Sequence, residues 1–498
     1  MALASEHRPV QPLSRLLSGI ATAPALPVSG VALDSRALRP GDVFLAFPGQ
    51  QCDGRDYLDQ ARRSGATAAL VESGITTSQR DAAAALPVIE VTGLASHAGR
   101  IAARFYDAPA DQMVAVGITG TNGKTTTSRL LAQLLRQHFG SCGVIGTLGA
   151  TLGDDVEHAQ NTTPDPVSLQ RQLASWRDSD VAAAVLEVSS HSLVQHRVAG
   201  VGFHTAIFTN LSRDHLDFHG SMDNYAEAKA MLFAVPGLKY AIINRDDPFA
   251  DVMISALDSK TSLYLYSLSR GEVAVNASAI RFHSGGLEAR VHTPWGDGTL
   301  HSALAGDFNL SNLLAALTAA CIAGMPLQVA LDAASRLNSA QGRMQYLPND
   351  RGLQIVVDYA HTPDALAKVL QALRAHTTGS LWVVFGCGGD RDRGKRPEMG
   401  RIAAELADRI VITSDNPRSE PAMQIIDDVL AGVSPAAMTN VAVEVDRSSA
   451  IGLALVGAEE GDCVLVAGKG HEDYQIIGDD RLDFSDADAV RAELERTS

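Results

Sequence analysis

The chain is poor in cysteine, in positive charge and in long apolar runs, and each shortage excludes something. Its five cysteines are Cys52, Cys142, Cys321, Cys387 and Cys463. They are odd in number, far apart, and form no C-x-x-C pair. That pattern argues against a disulfide framework or a cysteine zinc site; each reads as a small buried apolar residue in a reducing compartment. Lys and Arg number 41 against 57 Asp and Glu, a formal charge of -16. A broad basic surface is therefore excluded, and with it nucleic acid as a partner. An anionic substrate would need a local pocket of Arg and Lys. The apolar run Leu313–Met325 is shorter than the roughly 18 residues that span a bilayer. The first twenty residues lack the apolar core of a signal peptide. The expectation is a soluble, cytoplasmic protein without membrane insertion, and a monomer.

Against these absences stands an ordinary globular composition, 46% apolar and 20% charged over 498 residues. At roughly 150 residues per domain the length suggests about three domains. Strand-like runs alternate with Ala/Leu-rich helical stretches almost throughout, which reads as βαβ units and parallel sheet. Three blocks separate, 1–112, 113–340 and 341–498. The first carries the strand Val43–Gly49, a helix near Tyr57–Ser64 and the strands ATAALVE and LPVIEV, and it ends in a linker-like segment, Tyr106–Asp111. The second opens on MVAVGITG and includes a helix from Asn309 to Met325. In the third, LQIVVDY, SLWVVFG, RIVIT and DCVLVAG each end at a polar or Gly-rich turn. Ligands of open α/β sheets sit beyond the carboxyl ends of strands, so those four turns are expected to line one crevice.

The strand Met113–Val116 runs into Gly120-Thr121-Asn122-Gly123-Lys124-Thr125-Thr126 and then a helix, Ser128–His138. Glycines let a backbone turn its N–H groups toward phosphate, and a helix N-terminus adds a favourable dipole. Lys124 is placed for the β/γ-phosphates and the Thr125 hydroxyl for Mg²⁺. The usual first glycine is replaced by Ile118, but strand, glycines, Lys-Thr and helix follow in order. The loop binds ATP phosphates. Alone it does not separate motor, switch, kinase and ligase.

The rest of the central block adds LEVSSHSL, with Glu187 at the end of an apolar strand, and FTNLSRDHLDFHG, with His215 after a strand and Lys229 on a later helix. A carboxylate at a strand end suits a metal bound to phosphate, though a structural role for Glu187 is equally open. In isolation His215 could be a satisfied buried histidine and Lys229 a surface helix lysine.

Taken in order, GTNGKTTT, LEVSSHSL, TNLSRDHLDFHG, GDFNLSN, Gly342-Arg343 and DYAHTPDAL resemble the motifs of the Mur ligase family, which builds the peptide of the bacterial cell wall; folylpolyglutamate synthase is a distant relative. The resemblance covers nearly the whole chain. It implies an α/β protein of three domains: an N-terminal α/β UDP-binding domain, a central P-loop ATPase-type parallel sheet, and a C-terminal Rossmann-like domain. The segment LDSRALRPGDVFLAFPGQQCDGRDY and the string DNPR are similar to those of the branch that adds meso-2,6-diaminopimelate to UDP-N-acetylmuramoyl-L-Ala-D-Glu. That resemblance assigns Leu33, Ser35, Gln50, Gln51 and Cys52, with Asn161, Thr162, Thr163, Ser189, Gln195 and Arg197, to the UDP-muramoyl dipeptide. It assigns Asn309, Arg343 and Asp358 to the nucleotide, with His361 close by. Arg391, Asp415, Asn416, Pro417, Arg418, Gly468 and Glu472 fall to diaminopimelate. Arg418 has a physical reason: the second amino-acid head of diaminopimelate ends in a carboxylate that a guanidinium grips bidentately, whereas lysine ends in an ammonium that Arg repels. Without that context Arg418 would read as a loop salt bridge.

The implied reaction is amide formation through an acyl phosphate, in cell-wall biogenesis and hence cell shape and division. Two Mg²⁺ ions are implied, one near Thr125 and one held by Glu187, His215 and Lys229 carried as a carbamate. The catalytic set is Lys124, Glu187, His215 and Lys229. The competing readings are a lysine-adding, dipeptide-adding or folate-elongating ligase, and a nucleotide-dependent switch without bond formation.

Overall fold

The computed structural model describes residues 10–49, 52–153, 155–157, 161–283 and 286–497. Gln50 and Gln51 lie outside the described residues.

The strand Val114–Thr119 is the centre of the molecule. It pairs in parallel with Ala183–Glu187 on one side and Thr205–Phe208 on the other. Neighbours on both edges and helices on both faces leave it no exposed face, which is why VAVGIT reads as a nearly continuous apolar run. The strand is longer than the expected Met113–Val116, because Gly117 and Ile118 still find partners on both sides and Thr119 on one. The helix Lys124–Phe139 follows the loop directly rather than starting at Ser128. It buries Leu130, Leu131, Leu134 and Leu135 fully against the sheet, about 1.5–3 kcal/mol for each side chain. The helix Asp307–Ile322 lies beside it and is buried almost all round. That explains its apolar run without a membrane, and no helix of the described residues is long and apolar enough to cross one.

The sheet extends to eleven strands, and its far edge departs from the expected βαβ pattern. Val275–His283, Gly286–Thr293 and Gly296–Ser302 form an antiparallel meander. A parallel crossover needs a dozen or more residues, and the few residues between these strands cannot supply one.

The N-terminal part is a parallel sheet of Gly30–Ala32, Asp42–Ala46, Ala68–Glu72 and Val88–Val91, in that order. Its helix Leu94–Phe105 packs on the central helix Pro166–Asp178. The segment read as a linker is instead tied down. Asp107 pairs with Arg15, Pro109–Gln112 forms a 3₁₀ turn, and Ala110 is buried. Four cysteines are buried as expected; Cys52 is exposed, a correction to the reading of all five as core residues.

The C-terminal part is a six-stranded sheet in the order Gln345–Leu347, Gln354–Asp358, Cys463–Ala467, Leu381–Phe385, Arg409–Ile412, Val441–Val443. All but the first strand run parallel. The four turns expected to share a crevice follow four adjacent parallel strands, so they emerge at one end. The late strand Cys463–Ala467 sits between the two earliest parallel ones, which makes the space above it the topological switch point.

Candidate functional site

The phosphate loop is held from below by the turn after Thr205–Phe208. Asn210 O accepts from Thr121 N at 2.8 Å, Asn210 Oδ1 accepts from Asn122 N at 3.0 Å, and Thr209 Oγ1 donates to Asn122 O at 2.6 Å. Gly120 and Gly123 take positive φ, and a Cβ there would collide with Thr209 Oγ1 and Asn312 Oδ1 respectively. Lys124 Nζ donates to Gly120 O and Thr121 O, at 2.8 and 2.9 Å. Burial lowers its pKa, against the pull of Glu187 and Asp214.

Glu187 is buried at the end of its strand and takes three donors: Thr125 Oγ1 at 2.9 Å, Thr147 Oγ1 at 3.0 Å and Thr147 N at 3.1 Å. His215 sits in left-handed backbone, φ 53°, with its N–H on Asp214 Oδ1 and its Nε2 3.3 Å from Asp214 Oδ2. Lost hydration pushes the imidazole down to about 3, Asp214 opposing and the cations around it assisting. Lys229 is no surface lysine. Its side chain is 1% exposed, Nζ donates to Gly120 O at 2.9 Å, and it lies 4.3 Å from the centre of the Tyr225 ring. No carboxylate lies within ion-pair distance of it among the described residues. Burial, then the neighbouring Lys124, pushes its pKa well below the usual lysine value. Tyr225 also places its hydroxyl 3.2 Å from Thr121 Oγ1.

The C-terminal part closes over this loop. Arg343 Nη2 donates to Thr125 Oγ1 at 3.3 Å, and its guanidinium lies 4.2 Å over the Tyr359 ring. Asn122 Nδ2 donates to Asp364 Oδ2 at 3.1 Å, and Arg213 pairs with Asp392. Asp214 faces His361 at 3.8 Å. Asp358 accepts from Met344 N and Ala360 N, and burial raises its pKa. Asn309 is buried, with Nδ2 on Ala305 O. Between the two parts lies a cleft of about 520 Å³ lined by the loop, His215, Asn309, Arg343, Asp358 and His361.

A few ångströms beyond, the ends of the C-terminal strands gather the expected amino-acid contacts. Arg418 takes φ 51°, and its Nη1 donates to Gly389 O at 2.8 Å. A Cβ at Gly388 would meet Arg418 Nη1 and Arg391 Cγ, so the two guanidinium side chains flank one glycine turn. Asp415 and Asn416 are buried; Asn416 Nδ2 donates to Glu472 Oε2 at 2.9 Å. A Cβ at Gly468, φ 118°, would touch Asp415 Oδ2. Left-handed backbone costs a non-glycine residue about 1 kcal/mol or more and collects at functional sites. Among the described residues ten non-glycine positions carry it, and four of them, His215, Met344, Asp390 and Arg418, lie in or beside the cleft and crevice.

The residues expected to hold the UDP-muramoyl dipeptide divide. Thr162 and Ser189 line the cleft at the phosphate loop, beside Thr147. Thr163 is buried, its hydroxyl on Glu187 O and its carbonyl on Arg197 Nη1. Asn161 is exposed, and Gln195 caps a short helix. Leu33 lines a second cleft of about 640 Å³ between the N-terminal sheet edge and the helix Pro166–Asp178, with Arg36, Arg39 and Arg171. Ser35 is buried with its hydroxyl 2.9 Å from Gln60 Oε1, so it braces that turn.

Sequence reasoning passed over Thr147, Asn210, Asp214, Tyr225, Asp364 and Lys469. Asn210 and Asp214 stood inside TNLSRDHLDFHG and Asp364 inside DYAHTPDAL, and Lys469 lies between the singled-out Gly468 and Glu472. Thr147 carries no sequence signal; only the fold brings it to the loop.

Comparison with known proteins gives three family matches: "Mur ligase family, catalytic domain" over residues 27–106, "Mur ligase middle domain" over 118–320 and "Mur ligase, glutamate ligase domain" over 342–470. The chain is 45% identical over 471 residues to a UDP-N-acetylmuramoyl-L-alanyl-D-glutamate–2,6-diaminopimelate ligase of Coxiella burnetii, covering 94% of this chain and 96% of that one. It is 46% identical over 464 residues to the enzyme of the same name from Pseudomonas aeruginosa, covering 93% and 94%. A solved structure of a ligase of that name superposes with a TM-score of 0.72 at 36% identity, covering 98% of this chain and 99% of that chain.

Proposed function

The chain belongs to the Mur ligase family, and from that premise we propose that it joins meso-2,6-diaminopimelate to the D-Glu γ-carboxylate of UDP-N-acetylmuramoyl-L-alanyl-D-glutamate, with ATP as cosubstrate. The division into functional units falls near 112/113 and 340/341. The protein works as a monomer in the cytoplasm.

The observation that carries the substrate assignment is the crevice of the C-terminal sheet. It offers guanidinium groups, Arg391 and Arg418, beside carboxylates, Asp415 and Glu472. A pocket with both signs suits a distal head that is itself a zwitterion.

A carboxylate is a poor electrophile, which gives ATP its purpose. The γ-carboxylate of D-Glu attacks the γ-phosphorus and ADP leaves. The amine of diaminopimelate then attacks the acyl phosphate, and inorganic phosphate departs. The chain's own work is positioning and charge neutralisation. Loop amides and Lys124 hold the phosphates. Arg343, fixed over Tyr359 and reaching Thr125, adds positive charge from the other side. Asn309 and Asp358 border the rest of the nucleotide.

The residues present fit Mg²⁺. Thr125 Oγ1 and Glu187 are oxygen donors 2.9 Å apart, and Mg²⁺ bound to nucleotide takes one or two protein oxygens and fills its shell with phosphate and water. Such an ion neutralises developing phosphoryl charge when bound. A second ion would be held by Glu187, His215 and Lys229, and here the ammonium of Lys229 does not fit. A buried lysine without an anion favours its neutral amine. A neutral amine adds CO₂, releasing a proton and leaving an anionic carbamate. That form fits beside a cation, and we assign it to Lys229.

The test offers meso-diaminopimelate, lysine and D-Ala-D-Ala separately, each with UDP-muramoyl dipeptide and ATP, and reads phosphate release and product mass. Diaminopimelate alone should give efficient turnover. Comparable turnover with lysine would overturn the assignment.

A further inference from the structure

Lys469 lies at the floor of the amino-acid crevice and is completely buried. Its Nζ faces four acceptors: Tyr474 O at 2.7 Å, Asn416 Oδ1 at 3.0 Å, Asp415 Oδ1 at 3.3 Å and Glu472 Oε2 at 3.4 Å. An ammonium has three protons. The carbonyl and the amide oxygen take two and Glu472 Oε2 the third, while Asp415 Oδ1 stands at ion-pair distance without a hydrogen bond. Nothing remains for a substrate, so Lys469 acts through its neighbours.

Those neighbours are oriented by it. Asn416 Oδ1 accepts from both Lys469 Nζ and Ile476 N, which fixes the amide flip. Asn416 Nδ2 is thereby turned to Glu472 Oε2, while Oε1 of the same carboxylate is 3.4 Å from the Tyr359 hydroxyl. Beneath Asp415, Arg447 is already matched by Asp486 in a fully buried pair and is hydrogen-bonded to Ser414 O and Ala467 O. The charge count at the crevice floor is therefore two carboxylates, Asp415 and Glu472, against one free-standing ammonium, Lys469.

We infer that Lys469 is the positioning residue that sets the charge of the amino-acid pocket: it cancels one of the two carboxylates and turns Asn416, so that Glu472 meets the distal ammonium of the substrate with a single net negative charge. Arg418 meets the distal carboxylate. A floor of net charge minus one beside a guanidinium complements a zwitterion. A floor without Lys469 would carry two uncompensated buried carboxylates, a net charge of minus two with their mutual repulsion unrelieved. This inference rests on the function proposed above.

The experiment uses the full chain and three substitution sets: Lys469→Met, Glu472→Gln and the two combined. KM and kcat are measured for diaminopimelate, ATP and UDP-muramoyl dipeptide separately. Lys469→Met should raise KM for diaminopimelate about 30-fold or more and leave KM for the other two substrates within about threefold, a smaller change than one buried charge pair commands. The combined variant restores a floor of net charge minus one, so its rise in KM should fall about tenfold or more short of the product of the two single rises, well beyond additive behaviour. A diaminopimelate KM unchanged in Lys469→Met, an equal rise for all three substrates, or strictly multiplicative single effects would each overturn the inference. If Lys469→Met does not fold, the combined variant decides: folding with measurable diaminopimelate use supports the charge account, and failure to fold overturns it. A wild-type protein that ignores diaminopimelate refutes the proposed function instead.

Discussion

Two lysines of this chain are buried to the same degree and live in opposite surroundings. Lys229, beside the phosphate loop, has one backbone carbonyl and the face of a tyrosine. Lys469, at the crevice floor, has two carboxylates, an amide oxygen and a carbonyl. Burial alone therefore decides nothing about a lysine. An ammonium with anions around it is a structural counter-ion. One without them is pressed toward its neutral amine, and a neutral amine is a reagent. The first kind organises a pocket, and the second is available for chemistry.

The sharpest way to break this contrast is Lys229→Ala. If Lys229 supplies an anion beside the phosphates, its removal should lower kcat by about 10³-fold, the scale of losing a preorganised charge at a phosphoryl-transfer site. Short carboxylic acids or bicarbonate should restore part of the rate, because they return an anion to the same space. Steady-state phosphate release with and without acetate reads both effects. Full activity of the alanine variant in carboxylate-free buffer would remove the distinction between the two lysines. Lys469→Ala should gain nothing from carboxylates, since its missing charge is positive.

Arg418 comes next, because it tests whether the crevice reads a zwitterion. Arg418→Ala should raise KM for diaminopimelate by about 10²-fold, the worth of a buried charge-assisted contact. The KM for ATP should stay put, as Arg418 is absent from the residues lining the nucleotide cleft. Relative use of lysine should rise, because a repelling cation has gone. Competition between the two amino acids at fixed ATP measures this directly. An unaltered preference would assign Arg418 to its loop alone.

Much of this was legible in the residues themselves. Phosphate loop, strand-end Glu187, His215 and the four crevice turns all sit in local strings, where a short stretch dictates its own geometry. The antiparallel meander at Val275–Ser302 was missed because the alternating pattern before it is parallel, and only the short connections betray the change. The surroundings of Lys229 could not be read at all. A helical lysine flanked by alanines looks exposed, and its burial depends on Gly120 and Tyr225 meeting it from elsewhere. The division of the residues expected to hold the dipeptide between two clefts is likewise a matter of how the N-terminal sheet docks on the helix Pro166–Asp178. Thr147 belongs to the same class. Local chemistry is written in strings, and the pairing of distant strings is not.

The smallest expected effect concerns a third buried cation, Arg396, which resembles Lys469 in having its anions close. It is fully buried and bonded to Glu420, Asp428 and Gly388 O, below the loop that carries Arg418. The hydrogen bonds from Arg396, against the opposing effect of burial, bring the Glu420 carboxyl from the ordinary 4.5 down to about 2. A carboxyl depressed in the folded state contributes stability that is present above the unfolded value and lost as pH falls through the folded one. The window here runs from pH 4.5 down to about 2. Glu420→Gln should therefore be less stable than wild type at neutral pH, and the gap should close as the pH is lowered through that window. Urea unfolding at a series of pH values measures the gap, with the m-value checked for constancy. A gap that stays constant across the window would mean that the charge of Glu420 adds nothing beyond its hydrogen bonds. Arg396 would then be held by geometry, and the likeness to Lys469 would be one of placement only.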